Sequence, residues 1–191
     1  MKIVLGLLGS CLMLAACSGP GAGAPVVTVT APATPPATPT ADPATVSWMD
    51  GFCGAIHGYR KRTNEEAGPG KPEPGSVAEA QKALSAELGG IATRTGEVVD
   101  KLSALPPAPV PLAEQVRKAY VTKFTTARDR AANAKTALDR AKPGDEASQD
   151  PAAQAIEQAQ QDVDGTYDPV APLTESAELM TAAATAPGCK A

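Results

Sequence analysis

Few residues in this chain have the types and spacing that chemistry requires. There is one histidine, His57. A zinc site takes three or four nitrogen, sulfur or carboxylate ligands, and a single imidazole beside Cys53 falls short of that. No Glu-x-x-His pair occurs, which argues against a di-iron carboxylate bundle. The sequence also lacks a Gly-x-Ser-x-Gly elbow, a Ser-x-x-Lys pair and a Gly-rich phosphate loop. One acidic cluster has ligand-like spacing: Asp162-Val-Asp164-Gly165-Thr-Tyr-Asp168. Laid on the calcium loop of EF-hands, Asp162, Asp164, Gly165 and Asp168 fall at positions three, five, six and nine. Position one is then Gln160 and position twelve is Ala171, so the bidentate glutamate is missing. Solvated acids at a helix C-terminal turn are the expectation, with calcium as the weaker candidate. No catalytic set, cofactor or metal is expected, and His57 is read as a partly exposed helix residue.

Charge offers a second candidate. The formal net charge is -4, which argues against nucleic acid as a partner. From Arg117 to Lys142 there are eight basic residues against two acidic ones, and from Gly144 to Glu178 nine acidic residues and no basic one. Adjacent antiparallel helices of opposite sign would produce this pattern by pairing with each other. The alternative is a basic stripe, with Arg117, Lys118, Arg128 and Arg130 as candidate contacts for anionic envelope lipid or polymer.

The ends of the chain are more specific. Lys2 begins a positive segment, Ile3 to Leu14 is apolar, and small residues follow, as in a secretory signal. A run of that length is too short for a membrane-spanning helix, which needs about 20 residues. Leu14-Ala15-Ala16-Cys17 resembles the lipobox of bacterial lipoproteins: an aliphatic residue, two small residues, then cysteine. The resemblance implies that residues 1–16 are removed and that Cys17 carries a diacylglyceryl group with fatty chains such as palmitate. It further implies a lipid-anchored protein on the extracytoplasmic side of the cell membrane, since two or more chains give stable anchoring. Removal of the signal discards Cys11 and leaves Cys53 and Cys189 besides the anchor. In an exported domain such a pair is most simply a disulfide, and a redox pair would want Cys-x-x-Cys spacing.

The elements that must position these residues follow from composition and period. Residues 17–45 are dominated by Gly, Ala, Pro and Thr and read as a disordered tether. The domain is expected over 46–191. Trp48, Phe52, Ala55, Ile56 and Tyr59 recur at helical spacing, so Asp42 to Arg62 reads as a short helix plus its lead-in, and Thr63 to Gly75 reads as a loop. Ser76 and Glu79 form a capping box ahead of a seam at Leu84, Leu88, Ile91, Thr95, Val98, Leu102 and Leu105. A third helix starts at Pro111 with Val116, Tyr120, Phe124, Ala127, Ala131, Ala134, Leu138 and Ala141 on one face. A fourth is expected from an Asp150 cap, with Ala152, Ile156, Ala159, Val163 and Tyr167 facing inward. A last piece carries Leu173, Ala177 and Met180.

The expected fold is therefore all-α: a small antiparallel bundle of about four helices with an alanine-rich core. Tether, Trp48-x-x-x-Phe52-Cys53 start, helical domain and late cysteine together resemble small Ala/Pro/Thr-rich lipoproteins and secreted proteins of actinobacteria. That likeness implies no particular activity. The expected function is a non-enzymatic interaction or binding module of the cell envelope. The rival is a carrier of an apolar ligand between helices, because an alanine seam suits either close packing or a guest.

Overall fold

The computed structural model describes residues 40–67 and 73–190. The signal, Cys17 and residues 17–39 of the tether lie outside them. Among the described residues the chain is all-helical, as the sequence predicts, with five α-helices: α1 Pro43–Glu66, α2 Val77–Ser103, α3 Pro111–Arg140, α4 Gln149–Asp162 and α5 Ala177–Thr185. Short 3-10 turns cover Glu146–Ser148, Ala171–Leu173 and Pro187–Cys189. No helix among the described residues is long and apolar enough to cross a membrane.

Helix α1 runs through the whole of its expected lead-in and ends later than the sequence suggests. Asp42 caps it by accepting from the Thr45 amide at 2.9 Å, and Pro43 sits in the first turn, where a missing N–H costs nothing. Residues 43–45, read as the end of the tether, are therefore helical. Thr45 is buried and donates to Glu178 at the start of α5. At the other end Thr63 to Glu66 continue the helix rather than opening the loop, and residues 68–72 of that loop lie outside the description.

The capping box of α2 forms, with one change of partner. Ser76 Oγ accepts from the Glu79 amide at 3.3 Å, and Glu79 accepts from Gly75 N–H at 2.8 Å instead of from Ser76. Helix α4 starts differently from expectation. Asp145 caps the preceding 3-10 turn, so Asp150 falls in the first turn of α4 and is not its cap. At the end of α3, Gly144 adopts a positive φ of 79° and donates its N–H to Gln81 of α2.

The partners along each helix pair show the packing directions. Gln81 meets the Leu138 carbonyl, while Arg117 meets the Leu102 carbonyl, so α2 and α3 run antiparallel. Arg130 reaches Asp162 and Lys123 reaches the Asp164 carbonyl, which makes α3 and α4 antiparallel too. Arg62 and Arg94 reach Glu97 and Glu66, setting α1 against α2 in the same sense.

The core is aromatic where α1 meets α3 and aliphatic elsewhere. Trp48 stacks on Phe52 at 5.1 Å, Phe52 tilts against Tyr120 at 5.3 Å, and Tyr59 meets the edge of Phe124 at 5.1 Å. Such pairs add about 0.5–1.5 kcal/mol beyond burial. From α2 come Leu88, Ile91, Thr95, Val98 and Leu102, all buried, whereas Leu84 and Leu105 at the ends of the seam are half-buried. Ala127, Ala131, Ala152, Ala155 and Ala159 bring α3 and α4 together with little side-chain bulk.

Two expectations about the C-terminal third need correction. Tyr167 does not join the α4 face; it is 39% exposed, because the chain turns at Gly165 (φ 74°) before reaching it. The buried face of the last helix is Leu179, Ala182 and Ala183, not Ala177 and Met180. Leu173 belongs to a separate turn, and the Ser176 cap restarts the helical phase after it.

Candidate binding groove and surrounding residues

Four basic residues and three acidic ones were candidates for partner or metal binding, and most of them serve neighbouring elements. Arg117 forks onto Glu114 at 2.9 and 2.7 Å and donates to the Leu102 carbonyl, so it ties the α2–α3 connection. Lys118 lies 3.5 Å from the same Glu114. Arg128 pairs with its neighbour Asp129 at 2.8 Å. Arg130 crosses to α4, where it meets Asp162 through two nitrogens at 2.7 and 3.2 Å and Gln158 at 2.9 Å. Pairing between the basic and acidic helices is thus real at Arg130, while Arg117, Lys118 and Arg128 pair within their own helix.

This divides two residues that the sequence placed together. Charge reversal Arg128→Glu should lower the thermal unfolding midpoint only slightly, because its partner Asp129 is exposed and on the same helix and the other loss is its stem over Gly96. Arg130→Glu should lower the midpoint, since it sets two acids against each other across the α3–α4 joint. The gap between the variants should narrow in high salt. Equal midpoints at low salt would show that the Arg130 fork holds nothing together.

The acidic cluster does not converge. Asp162 is taken by Arg130, Asp164 accepts from the Gly165 amide, and Asp168 accepts from Val170 N–H at 3.0 Å and Ala171 N–H at 3.2 Å. The calcium reading of Asp162, Asp164 and Asp168 is corrected accordingly: Gly165 is the glycine of a helix-ending turn and not the sixth residue of a metal loop. Among the described residues no group of three or more His, Cys, Asp and Glu is placed to hold a metal ion.

Cys53 and Cys189 form a disulfide that closes a separation of 136 residues. His57 is half-buried beside it, and its Nδ1 donates to the Gly188 carbonyl at 2.8 Å. Asp50 accepts from Gly188 N–H at 2.6 Å. A Cβ on Gly188 would stand 2.4 Å from the Asp50 carbonyl oxygen, which explains glycine at that point. The histidine thus belongs to a strap that fastens the C-terminal turn to α1.

A different region, which the sequence did not mark, has the shape of a binding site. Helices α1 and α2, with the end of α4 and the segment after it, enclose a groove of about 550 Å³, within the usual range for ligand sites. Tyr59, Thr63 and Glu66 come from successive turns of α1, Gly90, Ile91 and Arg94 from α2, and Gln160 and Tyr167 from beyond. Arg94 is only 8% exposed, and burial pulls its pKa below the ordinary guanidinium value. One of its terminal nitrogens is bonded to Glu66, while Nε is buried without a hydrogen-bond partner. The hydroxyl of Thr63 is buried against Tyr59. Glu66 also lies 3.6 Å from Arg62, which is bonded in turn to Glu97.

Gly90 makes this arrangement possible. A Cβ there would lie 2.9 Å from the Arg94 guanidinium one turn later. Gly89 and Gly96 act in a similar way for α3, since the aliphatic stems of Lys135 and Arg128 lie over them. The cost of three glycines in one helix, about 1 kcal/mol each, is met by what passes across them. An i, i+4 pair of glycine and arginine next to a buried seam was the available signal. It went unread because glycine there looks first like a defect.

Tyr59 and Tyr167 form one wall, with ring centroids 6.5 Å apart and planes 26° apart. Burial, and then the neighbouring Tyr167, raise the Tyr59 pKa. Close by, the Tyr120 hydroxyl donates to the Asp168 carbonyl at 3.2 Å, and burial, with the Asp168 charge, pushes its pKa up to about 12. An unfolded chain gives up this proton near pH 10. Stability from keeping it neutral is therefore complete below pH 10 and is lost as the pH rises from 10 to about 12. The loss should reach about 2–3 kcal/mol at 1.36 kcal/mol per unit. Denaturant titrations across this window should show it, and Tyr120→Phe should flatten the profile. A profile as steep in the variant would assign the loss elsewhere.

Comparison with known proteins gave no match to any family model, curated protein or solved structure.

Proposed function

We propose that this protein is a membrane-anchored extracytoplasmic lipoprotein, held by lipid on Cys17, whose helical domain is a non-enzymatic binding module of the cell envelope. The single observation that carries the binding half of this reading is the groove at Arg94, which holds a buried cation with an unpartnered Nε and an exposed tyrosine in one concavity. Buried polar groups ordinarily find partners, so an arginine nitrogen left without one beside a groove calls for an explanation. The anchoring half is carried by Leu14-Ala15-Ala16-Cys17. A site on the flank suits this geometry better than an apolar guest between the helices. Trp48, Met49, Phe52 and Phe124 fill the interior, each at most 1% exposed.

The test combines the two halves in native cells. Chains should incorporate labelled palmitate and sediment with membranes, and Cys17→Ala should abolish both. A photocrosslinking residue at Tyr167 should yield a discrete adduct that the same residue at Thr136 on α3 does not. Absence of acyl label would sink the anchor, and equal adducts at both positions would sink the module.

A further inference from the structure

Most of the charges at the groove belong to one paired row, with Glu87 of α2 lining it besides. Arg94 is bonded to Glu66, Glu66 lies beside Arg62, and Arg62 is bonded to Glu97, giving two cations and two anions in one connected row. A row of that kind offers an incoming ion little net attraction, because each charge it meets is compensated. What it does offer is hydrogen bonds of both senses at fixed positions. Guanidinium N–H groups donate and carboxylate oxygens accept. The amide of Gln160, exposed at the edge of the groove, does both. The wall beside them is aromatic, with Tyr167 39% exposed and backed by Tyr59.

A ligand suited to that surface is neutral, carries donors and acceptors in adjacent pairs, and has an apolar face to lay on a ring. Sugars have that character: neighbouring hydroxyls on the edge and C–H groups on the face. We propose that the groove binds a neutral saccharide, with Tyr167 under the ring face and Arg94, Glu66 and Gln160 on its hydroxyls. Arg94 is a positioning centre as much as a donor, since Gly90 leaves the space its guanidinium occupies. The proposal rests on reading the domain as a binding module and names the ligand class of its groove.

The experiment uses the full chain in detergent, titrated by calorimetry with cello-, malto-, manno- and chito-tetraose, with glucuronate and glucosamine oligomers as charged counterparts. At least one neutral tetraose should bind. Tyr167→Ala and Gln160→Ala, both at exposed positions, should each weaken binding about tenfold, the scale of one stacking or hydrogen-bonding contact. Gly90→Ala should weaken it as well, and all three variants should keep the helical circular dichroism of the parent. Three results would each overturn the proposal: no neutral tetraose bound at millimolar concentration, binding indifferent to the Tyr167 and Gln160 changes, or a charged oligomer preferred over its neutral counterpart. Failure here with a Tyr167-specific crosslink in cells would leave the binding module standing and remove only the saccharide. Saccharide binding without acyl label at Cys17 would do the reverse.

Discussion

Replacement of both Cys53 and Cys189 by alanine is expected to lower the unfolding free energy by about 5 kcal/mol. The crosslink closes a separation of 136 residues, and loop-closure entropy grows with the logarithm of that length. Small domains are stable by only about 5–15 kcal/mol, so this change consumes a third of the total or more. The denatured chain also expands when the link is cut, so the dependence of free energy on urea should steepen as the midpoint falls. Alanine suits Cys53, which is fully buried. A paired urea titration of parent and double variant decides the matter, and a difference below about 1 kcal/mol would show that the helices hold the C-terminal turn without covalent help.

Phe52→Ala should be nearly as damaging, at about 3–5 kcal/mol. Its ring is fully buried between Trp48 and Tyr120, so it joins α1 to α3. The size of the loss depends on how far neighbours can move into the vacated space. Large side chains on both sides hold that space open, and the alanines lining α3 and α4 are too short to refill it. Phe52→Leu should retain most of the stability, since volume is better conserved. The measurement is denaturant unfolding with the disulfide intact; a Phe52→Ala chain within about 1 kcal/mol of the parent would mean that this cluster is not the centre of the core.

How much of this was readable in the sequence depended on whether the signal was local. Helix periods, the Ser76–Glu79 cap and Pro111 at a first turn are short-range features, and they led to an all-α bundle with the observed seam from Leu88 to Leu102. The pairing of Cys53 with Cys189 followed from arithmetic once export was assumed. Errors gathered where two local signals competed. Pro43 looked like tether because prolines precede it, though Asp42 beside it makes a helix start. Tyr167 fitted the period of α4, but Gly165 breaks the phase before it. The groove was illegible for another reason: Thr63, Arg94 and Tyr167 meet through helix packing, and nothing in their sequence spacing announces it. The acidic cluster shows the converse, where suggestive spacing dissolves once each carboxylate finds a partner in the fold.

The strap between α1 and the C-terminal turn also decides how the domain would carry load. The chain enters the described fold at Pro43, and the disulfide fastens the far end to α1 only ten residues later, at Cys53. On a helix that interval spans about 15 Å. Tension applied between the two ends of the domain passes through this one stretch of α1 and the sulfur bridge, and it bypasses the remaining helices. A domain pulled between Pro43 and its C-terminal turn would lengthen by little more than the unwinding of three turns. The groove, built from the later part of α1 together with α2 and α4, would keep its shape under stress.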